Sequence, residues 1–187
     1  MDVQDRRVKR TEQLLASALI DLTLEKGYEA ITIRDITERA DIGYATFFRH
    51  YRDKDALLQD VVDVVLEELL RLLLPGSPDV DPTTVGTLLF RYVQDHTEVI
   101  RVLLGSGGAS PLYKRIIVTG TQETLRGHTE RQQSVVPLEI AAYHVVASSI
   151  ALIQWWLDHD MPYAPERMGR IYDELIYRPT SEVAFGE

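Results

Sequence analysis

Apolar residues recur at intervals of three and four along most of the chain, which is the spacing of amphipathic α-helices. The first run spans residues 9–26 and ends at Gly27, a common helix stop. Its shared face carries Leu14, Leu15, Ala18, Leu19 and Leu22. Further runs predict helices over residues 53–74, 85–104, 111–133, 137–158 and 165–177. Because no strand-like alternation or internal repeat stands out, the pattern predicts an all-α protein.

Two short helices around a tight turn are predicted between Thr32 and Leu58. Thr32 suits a helix N-cap, and Asp35 three residues later completes a weaker form of the capping box. Residues 41–43, Asp-Ile-Gly, interrupt the helical spacing with turn-forming residues, and a second helix begins at Tyr44. This arrangement is a helix-turn-helix, whose second helix can enter the major groove of DNA.

Loop-forming segments separate the later helices. Residues 75–82 are rich in proline and predict a linker, and Gly105-Ser106-Gly107-Gly108 predicts a connector with Ser110 as the next helix cap. The glycine-rich connector lacks the preceding strand and the Gly-Lys-Ser/Thr ending of a phosphate-binding loop. We therefore predict a small DNA-binding domain, residues 1–55, followed by a helical domain, residues 56–187.

The charge is unevenly distributed along the chain. The net charge is −9, yet residues 1–55 hold ten Lys or Arg against eleven Asp or Glu, and the remainder holds ten against eighteen. Local basic patches, rather than net charge, contact phosphates. Basic residues lie at the beginning of the first part and around the helix-turn-helix, and these are Arg6, Arg7, Lys9, Arg10, Arg34, Arg39, Arg49, Arg52 and Lys54.

Composition argues against several other classes of protein. The chain has no cysteine, which excludes disulfides, Cys-ligated zinc and thiol chemistry. The N-terminal residues lack the apolar core of a signal peptide, so we expect a cytoplasmic protein. Residues 140–157 contain no Asp, Glu, Lys or Arg and approach the length of a membrane span. Because His144, Ser148, Ser149 and Gln154 interrupt this run, we expect a buried helix and no membrane contact.

The pair Asp95-His96 and the triplet Asp158-His159-Asp160 suggest metal binding or acid–base chemistry at first sight. Adjacent helical residues point in different directions, however, and no second cluster has the spacing of metal ligands. A Gly-x-Ser-x-Gly nucleophile element is also absent from the sequence. We therefore expect no catalytic residues, no metal and no cofactor.

The N-terminal motifs carry a family resemblance. They are Glu25-Lys26-Gly27-Tyr28, Thr32-Ile33-Arg34-Asp35-Ile36, Ala40, Ile42, Thr46-Phe47-Phe48-Arg49-His50-Tyr51 and Lys54-Asp55-Ala56-Leu57-Leu58. Over about residues 10–58 the chain resembles the TetR family of one-component transcriptional regulators. The resemblance implies that the third helix reads DNA, that Lys54 lies against a DNA phosphate, and that the later helices bind an effector and dimerise.

Two residues depart from the pattern of that family. Gly43 stands where members usually carry Ser or Thr, so this N-cap supplies no side-chain acceptor. Phe48 stands where members usually carry Tyr with its hydroxyl on a phosphate. The loss of these groups predicts modest operator affinity, or a docking register that depends on Tyr44, Thr46, His50 and Lys54.

We predict a DNA-contacting surface centred on the second helix of the motif. Tyr44, Ala45 and Thr46 open that helix, where side chains reach base edges. We assign Arg34, His50 and Lys54 to phosphates, which position the protein without specifying sequence. A plain, solvated surface helix is the alternative. The predicted DNA-binding set is Thr32, Arg34, Gly43, Tyr44, Ala45, Thr46, Phe48, His50 and Lys54.

A pocket between the C-terminal helices is a candidate effector site, because such pockets combine apolar walls with a few polar groups. Its candidate lining is Tyr92, His96, Tyr113, Tyr143 and Trp155, with ordinary core packing as the alternative. Leu103-Leu104-Gly105-Ser106-Gly107-Gly108 and Trp155-Trp156-Leu157-Asp158 with Met161-Pro162-Tyr163 are similar to a TetR branch that includes a regulator of dihydroxyacetone kinase genes. This resemblance implies a homodimer formed through the last two helices.

Together these features predict a ligand-responsive repressor that binds a double-stranded DNA operator as a homodimer and responds to an unknown small molecule. The alternative is a TetR-like coactivator that acts mainly through another protein and scarcely contacts DNA. Phe48 and Gly43 favour that alternative, whereas Tyr44, Thr46 and Lys54 argue against it.

Overall fold

A computed structural model describes residues 3–73, 82–104 and 111–186. The chain divides into two compact units, Met1–Val65 and Leu66–Glu187. The domain boundary expected after residue 55 remains a prediction. The predicted linker before Pro82, the Gly105–Gly108 connector and the Ser110 cap lie outside the described residues.

The described residues are helical apart from two very short strands and the loops. In chain order the elements are α1 Val3–Lys26, a 3₁₀ turn Tyr28–Ala30, α2 Ile33–Arg39, α3 Tyr44–His50, α4 Lys54–Leu73, α5 Pro82–Asp95, α6 Thr97–Leu104, α7 Pro111–Gly127, β1 Thr129–Glu130, α8 Leu138–Asp158, α9 Pro165–Tyr172, a π-helix Asp173–Tyr177, α10 Arg178–Ala184 and β2 Phe185–Gly186. This helical architecture confirms the predicted all-α class.

The N-terminal unit has one apolar core to which each of its helices contributes. Leu15 and Leu19 of α1, Ile36 of α2, Phe47 of α3 and Leu57 of α4 have no exposed surface. These residues come from the periodic positions of the sequence, so apolar burial accounts for how the helices pack.

In the C-terminal unit α5 and α9 approach each other closely where Gly86 faces Gly169. A Cβ atom added to Gly86 would lie 2.9 Å from the Gly169 carbonyl oxygen and 2.7 Å from a ring carbon of Tyr172. Nearby, Phe90 of α5 meets the fully buried Trp156 of α8 edge to face, with 5.2 Å between the ring centroids. Glycine therefore permits backbone contact between the helices beside an aromatic core.

Three predicted helices in the C-terminal unit have different bounds. The helix expected over residues 85–104 breaks at His96, because the Thr97 hydroxyl bonds back to the carbonyls of Val93 and Gln94, at 3.2 and 2.8 Å. The helix expected over 111–133 ends at Gly127. The last helix does not end at residue 177 but continues through the π-helix into α10.

The two short strands were not predicted from the sequence. β1 and β2 pair antiparallel, with Thr129 opposite Gly186 and Glu130 opposite Phe185. The Arg131 amide extends this contact by donating to the Ala184 carbonyl at 3.0 Å. Pairs of two residues carry no usable alternation, so only the tertiary structure shows that the segment after α7 meets the segment after α10.

Helix α8 is long and apolar enough to span a membrane by length and composition. Seven of its residues are nevertheless buried inside the C-terminal unit, in keeping with the core helix expected from the sequence. They are Ala141, Ala142, Val145, Ile150, Ile153, Trp156 and Leu157.

Candidate nucleic-acid interface

Helix α3 is held in place by a buried phenylalanine and begins after a glycine N-cap. Gly43 is its N-cap, in extended conformation and without a side-chain hydrogen bond, as expected from the sequence. The Gly43 carbonyl accepts hydrogen bonds from the amides of Thr46 and Phe47, at 2.7 and 3.3 Å. Phe47 is completely buried, so it anchors one side of α3 in the core and turns the opposite side outward.

The outward side of α3 carries four of the nine residues predicted to contact DNA. Tyr44 is 56% exposed and Phe48 is 47% exposed, and their rings meet edge to face at 5.3 Å. Ala45 is also exposed, and Thr46 is half-buried. The helix thus presents an aromatic, small and weakly polar surface to solvent.

Helix α2 begins with a complete capping box. The Thr32 hydroxyl accepts from the Asp35 amide at 3.2 Å, and the Asp35 carboxylate accepts from the Thr32 amide at 2.7 Å. Lys26 lies 3.0 Å from the same carboxylate. The pKa of Asp35 falls to about 2, first because the Thr32 side chain and amide donate to it and then because of Lys26. This confirms the predicted cap and fixes where α2 starts.

An ion pair between helices α1 and α2 supports the motif from behind. The Arg39 guanidinium donates two hydrogen bonds to Glu25, at 2.8 and 2.6 Å. The hydrogen bond from Arg39 lowers the pKa of Glu25 and raises that of Arg39. Such a two-pronged pair holds the end of α2 in a defined orientation.

The three basic residues assigned to phosphates all have partners within the N-terminal unit. Arg34 pairs with Glu38 at 2.9 Å on the surface of α2. His50 Nδ1 lies 3.3 Å from a carboxylate oxygen of Glu12. The Lys54 ammonium donates to the carbonyls of Tyr28 and Ile31, both at 3.0 Å.

Lys54 is therefore partly committed to the fold. Its ammonium also lies 4.4 Å from the centroid of the Tyr28 ring. An ammonium has three protons, and two of them bond to carbonyls, so one donor is left for a phosphate. Lys54 thus joins the start of α4 to the turn before α2.

Two tyrosines of the family motifs, to which the sequence analysis assigned no role, tie α4 to the helix-turn-helix. Tyr28 donates to the Asp55 carboxylate, and Tyr51 donates to Asp60 at 2.6 Å. Burial, followed by these carboxylates, raises the pKa of both phenols. Their sequence signal was their place in those motifs, two residues after the end of α1 for Tyr28 and directly after α3 for Tyr51.

An open groove runs along the turn of the motif. It is lined by Arg34, Thr37, Glu38, Asp41, Ile42, Gly43 and Tyr44. Thr37 is buried, and Asp41 has a φ of 54°, a left-handed conformation that Asp tolerates in turns. The residues expected from the sequence at the turn therefore share one concave surface with the start of α3.

The five candidate effector residues do not form one enclosed group. Tyr92 is buried and donates to Glu68 at 2.9 Å, and its ring stacks on His96 at 4.1 Å. Tyr113 is half-buried on α7. Tyr143 and Trp155 are 54% and 42% exposed on α8. The structure brings together only Tyr92 and His96 as ring partners among these residues, and effector binding remains a prediction.

Comparisons with known proteins agree with this geometry. Residues 15–61 match the sequence profile of bacterial regulatory proteins of the tetR family, and residues 82–178 match a transcriptional regulator C-terminal region. An uncharacterized HTH-type transcriptional regulator of Bacillus subtilis, YxbF, is 28% identical over 92% of this chain and 46% of its own length. The HTH-type transcriptional repressor Rv3405c of Mycobacterium tuberculosis is 30% identical over 76% of this chain and 74% of its own length.

Other relatives match less of the sequence or only the fold. YdeS of Bacillus subtilis is 33% identical over 54% of this chain and 52% of its own length. The chain therefore spans about half the length of YxbF and of YdeS. A TetR regulator from Streptococcus agalactiae 2603V shares the fold with a TM-score of 0.69 at 22% identity, over 93% of this chain and 97% of that one. The dihydroxyacetone kinase operon activator DhaS does so with a TM-score of 0.62 at 14% identity, over 93% and 98%. With its helix-turn-helix and its C-terminal region both matched, the chain belongs to the TetR family of helix-turn-helix transcriptional regulators.

Proposed function

We propose that this regulator is a cytoplasmic homodimeric repressor that binds a palindromic DNA operator and releases it when a small molecule binds the C-terminal unit. The observation that carries the proposal is α3, whose buried Phe47 turns Tyr44, Ala45 and Phe48 outward. A helix supported in this way on a compact unit can enter the major groove without rearranging.

Base and phosphate contacts have separate roles in the proposal. Tyr44, Ala45 and Thr46 face base edges, where Thr bonds or touches a thymine methyl and Ala makes apolar contact. Arg34, His50 and Lys54 contact phosphates, together with Thr32 and Gly43 near the backbone. Because these three side chains also have internal partners, they are held in place before DNA binds.

An apolar stripe on α8, exposed except at the half-buried Ala147, supports dimerisation. Ile140, Tyr143, Ala147, Ala151 and Trp155 recur at intervals of three and four along one side of the helix. Small residues in its middle permit close approach of a second helix, and large residues lie at its ends. We place the homodimer contact there and on α10, where Val183 is 51% exposed.

Effector control follows from a shift in population. The dimer has two states, which differ in the spacing of the paired helix-turn-helix motifs, and only one spacing fits the operator. A ligand can lower operator affinity by no more than the difference between its own affinities for these two states. Tyr92, His96 and Tyr113 remain our candidates for the ligand site. Tyr143 and Trp155 are better explained by the α8 stripe.

The second candidate function is a coactivator that works through another protein. Phe48 lacks the hydroxyl usual in the family, and Arg34, His50 and Lys54 all have internal partners. Both observations reduce the groups free to bind DNA. The exposed, aromatic face of α3 favours the DNA-binding proposal over this one.

Selecting bound sequences from a random duplex pool tests the proposal. We expect recovery of a palindrome with half-sites about one helical turn apart. Tyr44→Ala and Thr46→Ala should each change the preference at one position of each half-site, at a cost of about 1–3 kcal/mol. Failure to enrich any sequence, with a folded dimer in the assay, would reject operator binding and favour the coactivator.

A further inference from the structure

The first turns of α1 carry four cations within five residues. Arg6, Arg7, Lys9 and Arg10 form what we call the α1 cationic cluster, and all four are exposed. None of them has an ion pair or hydrogen bond to another side chain in the described part of the chain. The positive charge of this cluster is therefore presented to solvent.

This arrangement is unfavourable for the free helix. The N-terminal end of a helix carries a partial positive charge, which disfavours a cation in the first turn, where Arg6 lies. Arg6 and Arg10 are four residues apart, as neighbours on the helix surface, and like charges at that spacing repel. Residues 1–10 hold four cations against two aspartates, so the segment remains positive. A bound polyanion would relieve both terms.

The other basic side chains of the N-terminal unit are mostly neutralised within it. The pairs are Lys26 with Asp35, Arg34 with Glu38, Arg39 with Glu25, His50 with Glu12 and Arg52 with Asp53, and Lys54 bonds to two carbonyls. Arg49, on α3, is exposed and has no acidic partner among the described residues. Unpaired positive charge is thus concentrated in the α1 cluster and at Arg49.

The α1 cluster lies beside the recognition helix. Glu12 contacts His50, the last residue of α3, at 3.3 Å. Lys9 precedes Glu12 by three residues and is its neighbour on the surface of α1. Arg49 directly precedes His50. The cluster therefore begins within one turn of α1 from the C-terminal end of α3.

We propose that the α1 cationic cluster, with Arg49, binds the phosphate backbone of duplex DNA flanking the bases that α3 reads. The inference rests on the proposed DNA-binding function and assigns the sequence-independent part of the affinity to α1. Its position next to α3 favours a DNA backbone over a membrane or an acidic protein, because an operator held by α3 brings phosphates to this end of the helix.

Salt dependence of binding tests the inference. The double variant Arg6→Gln/Arg10→Gln should weaken binding to the selected operator and to a random duplex by the same factor. For each lost contact the plot of log K against log salt becomes less steep by about 0.9. Between 50 and 200 mM salt, the variant therefore loses roughly threefold less affinity than the wild type for each contact removed. The thermal midpoint of the free protein should stay unchanged or rise, because repulsion is removed.

Arg126→Gln/Arg170→Gln is the matched control, since it removes two exposed arginine charges from the C-terminal unit. It should leave the slope at the wild-type value. An unchanged slope for Arg6→Gln/Arg10→Gln, or an equal change in the control, would overturn the inference. Loss of affinity accompanied by a lower thermal midpoint would also overturn it, because the two arginines would then be structural. Absence of any duplex binding by the wild type would reject the proposed function itself.

Discussion

Phe48 shows how one missing oxygen alters the recognition helix. Its ring is about half exposed and lies between the rings of Phe47 and Tyr44, at 5.4 and 5.3 Å. These contacts hold the ring in place, but its outer edge offers no donor. The position usual for a tyrosine hydroxyl in this family is therefore occupied by carbon and hydrogen.

Phe48→Tyr should strengthen operator binding by about tenfold. A hydrogen bond to a charged phosphate contributes on the order of 1.5 kcal/mol or more, and 1.4 kcal/mol is a factor of ten. Because the ring edge is exposed, stability should hardly change. Equilibrium binding to the selected operator and urea unfolding measure both quantities. Unchanged affinity would mean that α3 docks with Phe48 away from the backbone.

The capping box of α2 illustrates what a few polar atoms contribute to an element. Thr32 and Asp35 satisfy each other's backbone amides, and α2 itself is only seven residues long. A helix this short depends on its cap and on tertiary packing, because isolated short helices are unstable in water. The position of α2 in turn determines where the turn and α3 begin.

Thr32→Ala should destabilise the protein by about 1 kcal/mol at neutral pH. The folded pKa of Asp35 is about 2, below its usual 3.8, so its contribution is present above about pH 4 and is lost as the pH falls toward 2. The variant should lose much of this acid dependence. Urea unfolding between pH 2 and pH 7 measures it, with Thr11→Ala as control, since that hydroxyl bonds within α1. Equal losses in both variants would contradict the cap.

At the α5–α9 contact, the absence of a side chain determines how closely two helices approach. Gly86→Ala places a Cβ within 3.0 Å of the Gly169 backbone, which cannot move aside as a side-chain tip can. Overpacking of this kind costs about 1–3 kcal/mol. Gly127→Ala is the control, because a Cβ there meets nothing within 4 Å. Thermal unfolding should separate the two, and equal midpoints would show that α5 and α9 separate freely.

At the scale of the whole molecule, the apolar surface of α8 is divided between two uses. Residues such as Ala141, Val145 and Ile153 are buried within the protomer. Ser149 is half-buried and donates to the Val145 carbonyl at 2.6 Å, so its side chain is bonded within α8 itself. The stripe from Ile140 to Trp155 is what remains exposed.

Ala151→Glu should therefore dissociate the homodimer and weaken operator binding. A two-fold interface uses each patch twice, so one substitution places two carboxylates in it. Gln94→Glu adds the same charge on the exposed side of α5 and should change neither property. Sedimentation measures mass and a duplex assay measures affinity on the same sample. A monomer with wild-type affinity would refute the link between dimerisation and operator binding.

The sequence by itself determined the all-α class, the helix-turn-helix, the cap at Thr32 and the family. These depend on apolar spacing, turn residues and capping, and each of these signals involves residues within a few positions of each other in the sequence. The break at His96 was missed, although its cause is local, because the hydroxyl of Thr97 competes with the helix only where its rotamer permits.

Only the tertiary structure decided which side chains are free to act. Glu12 and His50 are 38 positions apart, a separation that a sequence pattern seldom connects. Lys54 likewise bonds to the carbonyls of Tyr28 and Ile31, more than twenty positions away. Periodicity could not divide α8 into a buried side and an exposed side, because apolar residues surround the helix. Pairing of charges and burial of faces depend on distances across the fold, and such distances are set by how the helices pack.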